Sequence, residues 1–400
     1  MMKSIKNIKT LSGKAVLVRV DFNAPMKNKK IADDTRLRES IPTIEYLAKA
    51  GAKVVLIMHL GRPEGKTVAD LKIDPIAAVL GKLLKKPVKK LAVKNWKLDE
   101  KERIRLKSEI AKMKPGQVAM LENIRFSPFE EGNKGDFAKS LAGLGDIFVL
   151  DGFAVCHRSD ATVAGLAKYL PSYAGFLLEK EISGLLKAVN NPKRPFVLVM
   201  GGIKLETKIP VIKKLLPKVD QLLIGGGIAS TYFYEAGYGV GDSLVDIEYS
   251  REVFANCRKT KVIKPVDLIV GEKDGKKYRV VEMSGEPHKI CGRNEAIFDI
   301  GPATIRLYSN YIKKARTIVW NGAMGWFEKK PYDVGTLAVA RLVASRSKGK
   351  AFGIIGGGET LEAMAKTGMG EYVDLVSTGG GAMLEFLAGK KLAGLTALEK

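Results

Sequence analysis

Four arginines in the first half of the chain stand beside short apolar runs or at a helix start. Val20 leads into Asp21-Phe22-Asn23, and Met58 into His59-Leu60-Gly61-Arg62. Leu121 leads into Glu122-Asn123-Ile124-Arg125, and Leu150 into Asp151-Gly152-Phe153 and then His157-Arg158. Arg36 follows Asp33-Asp34-Thr35, a helix-start pattern. A guanidinium stays charged and grips carboxylate or phosphate with two parallel hydrogen bonds. Arginines converging on one cleft edge therefore suit a small ligand that carries both groups. His59 and His157 read as hydrogen-bonded structural histidines; neither makes a metal site alone.

The second half carries different chemistry. Its apolar runs end in Gly201-Gly202-Ile203-Lys204, Gly225-Gly226-Gly227, Gly322-Ala323-Met324-Gly325, Gly356-Gly357-Gly358-Glu359-Thr360 and Thr378-Gly379-Gly380-Gly381. Glycines let backbone N–H groups approach phosphate oxygens, and helices starting there add a positive dipole end. One such cluster is weak evidence, because tight strand–helix turns also use glycine. Five in one half favour a nucleotide site. Lys204 and Lys208 lie one helical turn apart and can point toward it together. Glu359, at a helix start, is positioned to help hold Mg²⁺. Two tempting motifs fail. Gly61 to Thr67 resembles a P-loop but has three residues between its glycines where four are required, and no GxGxxG follows the first strand. A GxSxG elbow is also lacking.

The elements that must position these residues are short apolar runs. They are Ala15–Val20, Lys53–Met58, Gln117–Leu121, Asp146–Leu150, Phe196–Met200, Gln221–Ile224, Asp267–Val270, Thr317–Trp320, Ala351–Ile355 and Val373–Val376. They are continuous rather than alternating, as strands buried on both faces of a parallel sheet are. Helical spacing lies between them; Ile41, Ile44, Leu47 and Ala48 form one stripe, closed by Gly51. The alternation predicts an α/β fold with two doubly wound parallel-sheet domains. Four runs precede, and six follow, a helical stretch over Ala174–Asn190 that Asn190-Asn191-Pro192 breaks. That stretch is expected to join the domains and to hinge at its ends.

Composition adds limits. The 400 residues suit two domains. The 67 Lys and Arg against 43 Asp and Glu give a net charge of +24. The lysines are spread along the whole chain, which favours a solvated surface over a nucleic-acid patch. A positive field also gathers phosphorylated substrates. No apolar run approaches the ~18 residues of a membrane span. Met1–Lys14 is basic without an apolar core, so a cytoplasmic location is expected. Cys156, Cys257 and Cys291 show no CxxC spacing and read as reduced structural thiols.

The ordered motifs resemble one family, phosphoglycerate kinase. They are Val18-Arg19-Val20-Asp21-Phe22-Asn23-Ala24-Pro25, Asp34-Thr35-Arg36, His59-Leu60-Gly61-Arg62-Pro63, Leu121-Glu122-Asn123-Ile124-Arg125-Phe126 and His157-Arg158 in the first half. Lys204, Lys208, Trp320-Asn321-Gly322, Gly356-Gly357-Gly358 and Ser377-Thr378-Gly379-Gly380-Gly381 follow in the second. The likeness runs from about Lys14 to about Lys390.

The resemblance implies two Rossmann-like domains facing a cleft. Residues 1–173 would bind the triose, 174–190 would link the domains, and 191–382 would bind the nucleotide. The tail 383–400 would pack back on the first domain. The implied reaction is reversible phosphoryl transfer from 1,3-bisphosphoglycerate to ADP, giving 3-phosphoglycerate and ATP, with Mg²⁺. By similarity, Asp21, Asn23, Arg36, His59, Arg62, Arg125 and Arg158 would bind the triose. Gly202, Lys204, Lys208, Gly226, Asn321, Glu328, Gly356, Gly357, Gly358, Glu359 and Thr360 would bind the nucleotide, with Glu359 toward the metal. Arg36 and Lys204 would grip the transferring group, Lys208 would follow it, and amides near Gly357 and Gly380 would stabilise its charge. Domain closure would align the substrates and exclude water. A monomer without nucleic-acid or membrane partners is expected.

The sequence departs from the usual pattern at Glu359 (usually Asp), Ala323 (Pro), Ile203 (Ala) and Gly271-Glu272-Lys273 (Ala-Asp-Lys). It departs again at Gly152 and Val155-Cys156. On sequence alone two other readings stay open: a nucleic-acid-binding protein, suggested by the charge, and a nucleotide binder of weak catalysis, suggested by Glu359 and Ala323.

Overall fold

Runs of valine, leucine and isoleucine without polar alternation have two faces to bury. The computed structural model describes residues 2–27, 30–248, 262–284 and 289–399, and it places most of these runs inside parallel sheets. The chain divides into two units: Met1–Ile182 with Lys391–Lys400, and Ser183–Lys390. The division falls inside the helix Phe176–Asn190.

In unit 1 six parallel strands lie in the spatial order Val88–Leu91, Val118–Leu121, Lys53–Ile57, Ala15–Arg19, Ile147–Leu150 and Ser172–Ala174. Numbered along the chain within the unit, this order is 3-4-2-1-5-6. Val16, Leu17 and Val18 on the central strand are fully buried; burial stabilises each such side chain by roughly 1.5–3 kcal/mol relative to exposure. The helix Thr35–Lys49 starts where the Asp33 carboxylate accepts the Thr35 N–H at 2.9 Å. It buries Leu37, Ile44 and Leu47 against the sheet side, and the chain leaves it through Gly51 at φ +82°.

The helix Ala393–Leu398 belongs to unit 1. The Gly394 N–H donates to the Cys156 carbonyl at 2.8 Å, and Leu392 and Leu398 are buried. Residues 383–390 stay with unit 2, where the helix Gly381–Leu387 packs on Leu205–Leu215. The returning segment therefore begins at Lys391 rather than at Met383.

Unit 2 carries six parallel strands in the order Val262–Ile263, Gln221–Ile224, Phe196–Met200, Thr317–Asn321, Phe352–Gly356 and Leu375–Ser377. Numbered along the chain, that is 3-2-1-4-5-6, the order of dinucleotide-binding sheets. One expectation is corrected. Asp267–Gly271 is not in the parallel sheet. It is the middle strand of an antiparallel sheet with Tyr278–Glu282 and Ala296–Ile300. The link from Gly271 to Tyr278 is too short for a parallel crossover, and Asp274-Gly275 turns the chain with Gly275 at φ +79°.

Candidate active site

Open parallel sheets bind ligands beyond the carboxyl ends of their strands, where the winding direction reverses. In unit 1 that point lies between Ala15–Arg19 and its neighbour Ile147–Leu150. Three of the cationic side chains predicted from sequence, Arg36, Arg125 and Arg158, gather near it. Arg36, on the first turn of its helix, pairs with the buried Asp21 carboxylate. Asn23 is exposed and its Oδ1 accepts the Gly61 N–H at 3.0 Å, tying two strand-end loops together. Arg125 is buried; its Nη1 donates to the Gly61 carbonyl at 3.0 Å and its Nη2 lies 3.1 Å from Glu131. Asn123 braces the same turn: its Oδ1 accepts the Leu60 N–H at 3.1 Å and its Nδ2 donates to the Leu60 carbonyl at 2.8 Å. Arg158 is half-buried with no hydrogen-bond partner for its Nε among the described residues, and Arg62 is exposed.

His59 is buried beneath this set. Burial pushes its pKa well below the usual histidine value, and Arg19, Arg125, Arg158 and Arg36 add to the shift in that order. Nothing in the sequence gives Arg19 a role, because a residue inside an apolar run reads as strand. It is fully buried, and its Nη2 lies 2.9 Å from His59 Nδ1. Glu130, also fully buried, accepts the Thr162 N–H at 3.1 Å; burial raises its pKa to about 7, against the pull of Arg19.

In unit 2 the reversal lies between Phe196–Met200 and Thr317–Asn321. Here the backbone itself forms the site. The Gly201 N–H donates to the Asn321 carbonyl at 2.9 Å, Gly202 N–H to Ala323 at 2.7 Å, and Gly226 N–H to Met324 at 2.7 Å. Asn321 Nδ2 donates to the Gly356 carbonyl at 2.6 Å, and Thr360 Oγ1 accepts the Gly322 N–H at 2.7 Å. These bonds lock four glycine turns together. Gly202 has φ +76°, and a Cβ there would lie 2.4 Å from Lys208 Nζ and 3.0 Å from Glu359 Oε2. The absent methyl thus leaves space that the buried ammonium and the exposed carboxylate both approach. Burial lowers the Lys208 pKa; Glu359 opposes that shift and Lys204 reinforces it. Lys204 is exposed at the start of the helix Leu205–Leu215. Gly357, at φ +96°, and Gly358 open the helix Gly358–Thr367, and Gly380, at φ +47°, opens Gly381–Leu387.

A cavity of about 370 Å³ extends from this cradle. Of the residues that the resemblance assigns to the nucleotide, Gly202, Gly226, Glu328 and Glu359 line it, and Lys204, Lys208, Asn321, Gly356, Gly357, Gly358 and Thr360 do not. Ile203, Leu244, Phe298, Trp326 and Phe327 give it apolar walls, and Lys273 adds a cation. Sequence reading missed that wall. Phe298 belongs to the antiparallel sheet, with its ring centroid 5.4 Å from that of Trp326. A slot with aromatic sides and a glycine floor fits a planar base joined to phosphates.

Comparison with known proteins agrees with this chemistry. The family model described as phosphoglycerate kinase matches residues 5–390. Phosphoglycerate kinase from Chloroflexus aurantiacus is 44% identical over 407 residues, covering 99% of this chain and 98% of that protein. The Moorella thermoacetica protein of the same name is 44% identical over 395 residues, 97% of each chain. The solved phosphoglycerate kinase of Coxiella burnetii superposes with a TM-score of 0.85 at 38% identity, covering 100% of this chain and 99% of its own. That of Pyrococcus horikoshii OT3 gives 0.85 at 32%, covering 100% and 98%.

Proposed function

Since this chain belongs to the phosphoglycerate kinase family and has that phosphotransferase activity, we propose how its two units divide the reaction. Unit 1 holds 1,3-bisphosphoglycerate or 3-phosphoglycerate, and unit 2 holds ADP or ATP. The observation that carries this division is the contrast between two strand-end sites, one of guanidinium groups and one of glycine turns around a buried lysine.

In unit 1, Arg62, Arg125 and Arg158 bind the triose anions, with Asp21, Asn23 and His59 beside them. Arg36, oriented by Asp21, reaches the acyl phosphate. In unit 2, Gly202, Gly226, Asn321, Glu328 and the Gly356–Thr360 turn hold the nucleotide, and the aromatic wall takes its base. A β-phosphate oxygen of ADP attacks the acyl phosphorus, and the bond from phosphorus to the carboxylate oxygen breaks. The attacking oxygen is already ionised, so no general base is required. Arg36 and Lys204 neutralise the equatorial oxygens, Lys208 follows the phosphoryl group, and amides near Gly357 and Gly380 stabilise the charge that develops. In-line transfer needs the two bound substrates brought together with water excluded.

We assign Mg²⁺ to the nucleotide. No group of three or more His, Cys, Asp or Glu able to hold a metal occurs among the described residues. Glu359 beside Lys208 offers a single carboxylate, a donor set that suits an ion carried largely by phosphate oxygens and water. When bound, the ion supplies neutralisation of the phosphate charge. A cytoplasmic monomer completes the proposal, and its +24 charge draws in anionic substrates.

A coupled assay tests the reading. ADP should form from ATP only when 3-phosphoglycerate and Mg²⁺ are both present. ATP turnover that ignores 3-phosphoglycerate would sink it.

A further inference from the structure

Arg19 contributes more than a sequence-level strand position. It is fully buried, yet its Nε and Nη1 have no hydrogen-bond partner among the described residues. The charges around it are Glu130, Asp160 and Arg158, with the Cys156 thiol nearby. Among the described residues its one side-chain hydrogen bond runs from Nη2 to His59 Nδ1, at 2.9 Å. A guanidinium only donates, so Nδ1 must be the acceptor. The proton of a neutral imidazole then resides on Nε2.

We propose that Arg19 is a positioning residue that fixes His59 as a neutral Nε2–H donor for the triose anion, so that this hydrogen bond does not vary with pH. Two observations carry it: the geometry of the pair, and the lack of any other hydrogen-bonded task for the guanidinium. The surroundings agree. His59 faces Arg19, Arg125, Arg158 and Arg36, all cationic, and a second proton on its ring is opposed by each of them. The inference rests on placing the triose in unit 1.

The test uses the full chain labelled with ¹⁵N-histidine. Only three histidines are present, so the ring signals can be assigned by substitution. Wild type should show His59 protonated on Nε2 alone, with no titration near the ordinary histidine pKa of about 6.5. In Arg19→Met, an Nδ1–H population should appear and the His59 pKa should move up toward that value. The KM for 3-phosphoglycerate should then rise with pH through this range, reaching about ten-fold above wild type at high pH. Arg19→Lys keeps a donor and a charge, and should restore both the tautomer and the flat KM profile.

An Nδ1–H form of His59 in wild type overturns the proposal. An Arg19→Met protein with unchanged His59 signals also overturns it, as does a changed tautomer with unchanged KM. Arg125→Ala separates this from the underlying reading: if KM for 3-phosphoglycerate stays unmoved there too, the placement of the triose is what has failed.

Discussion

Unit 1 and unit 2 share a sheet architecture, yet they make anion sites in opposite ways. Unit 1 extends long charged side chains and braces them: the buried Asp21 on Arg36, and the Gly61 carbonyl on Arg125. Unit 2 withdraws side chains and lines its site with glycine backbone, the Gly202, Gly226 and Gly322 amides being spent on locking adjoining turns together. The chemistry explains the contrast. A small acid with carboxylate and phosphate rewards forked, directional donors. A polyphosphate chain rewards many amides at close range and tolerates few side chains.

This difference can be broken in four places, taken in falling order of effect. Arg36→Ala should lower kcat by about 10³ or more while leaving the nucleotide Kd near wild type; unchanged turnover would remove Arg36 from the transfer step. Gly202→Ala should cost unit 2 about 10- to 100-fold in ADP affinity, through backbone strain at φ +76° and displacement of the Lys208 ammonium from its place. Titration calorimetry should show 3-phosphoglycerate binding unaffected, and an equal loss for both ligands would argue against separate sites. Arg125→Lys keeps the charge but not the fork, and should raise KM for 3-phosphoglycerate about ten-fold with kcat little changed. An unaltered KM would mean that bidentate geometry is unimportant there.

The smallest effect concerns stability. Asp151 is fully buried in unit 1, accepting from Thr43 Oγ1 at 2.8 Å and from the Leu177 N–H at 3.0 Å, and burial raises its pKa to about 7. The folded protein therefore keeps a proton that the unfolded chain has lost. The unfolded state binds fewer protons between pH about 4 and 7, so this group makes stability fall as pH rises through that window. Glu130 acts in the same direction. Asp151→Asn should flatten the dependence of Tm on pH in that range by a few degrees, at about 4 °C or less per kcal/mol for a unit of this size. A profile parallel to wild type would show that Asp151 does not titrate there. Asp299, whose pKa is raised well above the usual carboxylate range by burial in unit 2, provides the same experiment on the other side.

Much of this was visible in the residues. Arg125 and Arg158 stand out because charge soon after an apolar run is conspicuous, Arg36 because it follows a helix-start pattern, and glycine clusters are equally visible. What sequence could not supply follows a physical pattern. Val88–Leu91 carries two lysines, and Ser172–Ala174 is three residues long; both are sheet edges, where one-sided pairing and solvent erase the buried-strand signature. Asp267–Gly271 looks parallel by composition, and only its pairing partners reveal otherwise, although Asp274-Gly275 was an available hairpin signal. The aromatic wall of the cavity joins Phe298 and Trp326, whose meeting depends on the placement of that same antiparallel sheet. Arg19 escaped because burial of a charge cannot be read from its neighbours along the chain.

The segment Lys391–Lys400 has a consequence for synthesis. A ribosome releases it only after every residue of unit 2 has emerged, so the first unit to leave the tunnel is the last to be finished. Until then the surface around Leu150, Cys156 and Val163 lacks its Gly394 cover. A released chain truncated after Lys390 should bind a hydrophobic dye and yield to protease in unit 1 first, while unit 2 resists both.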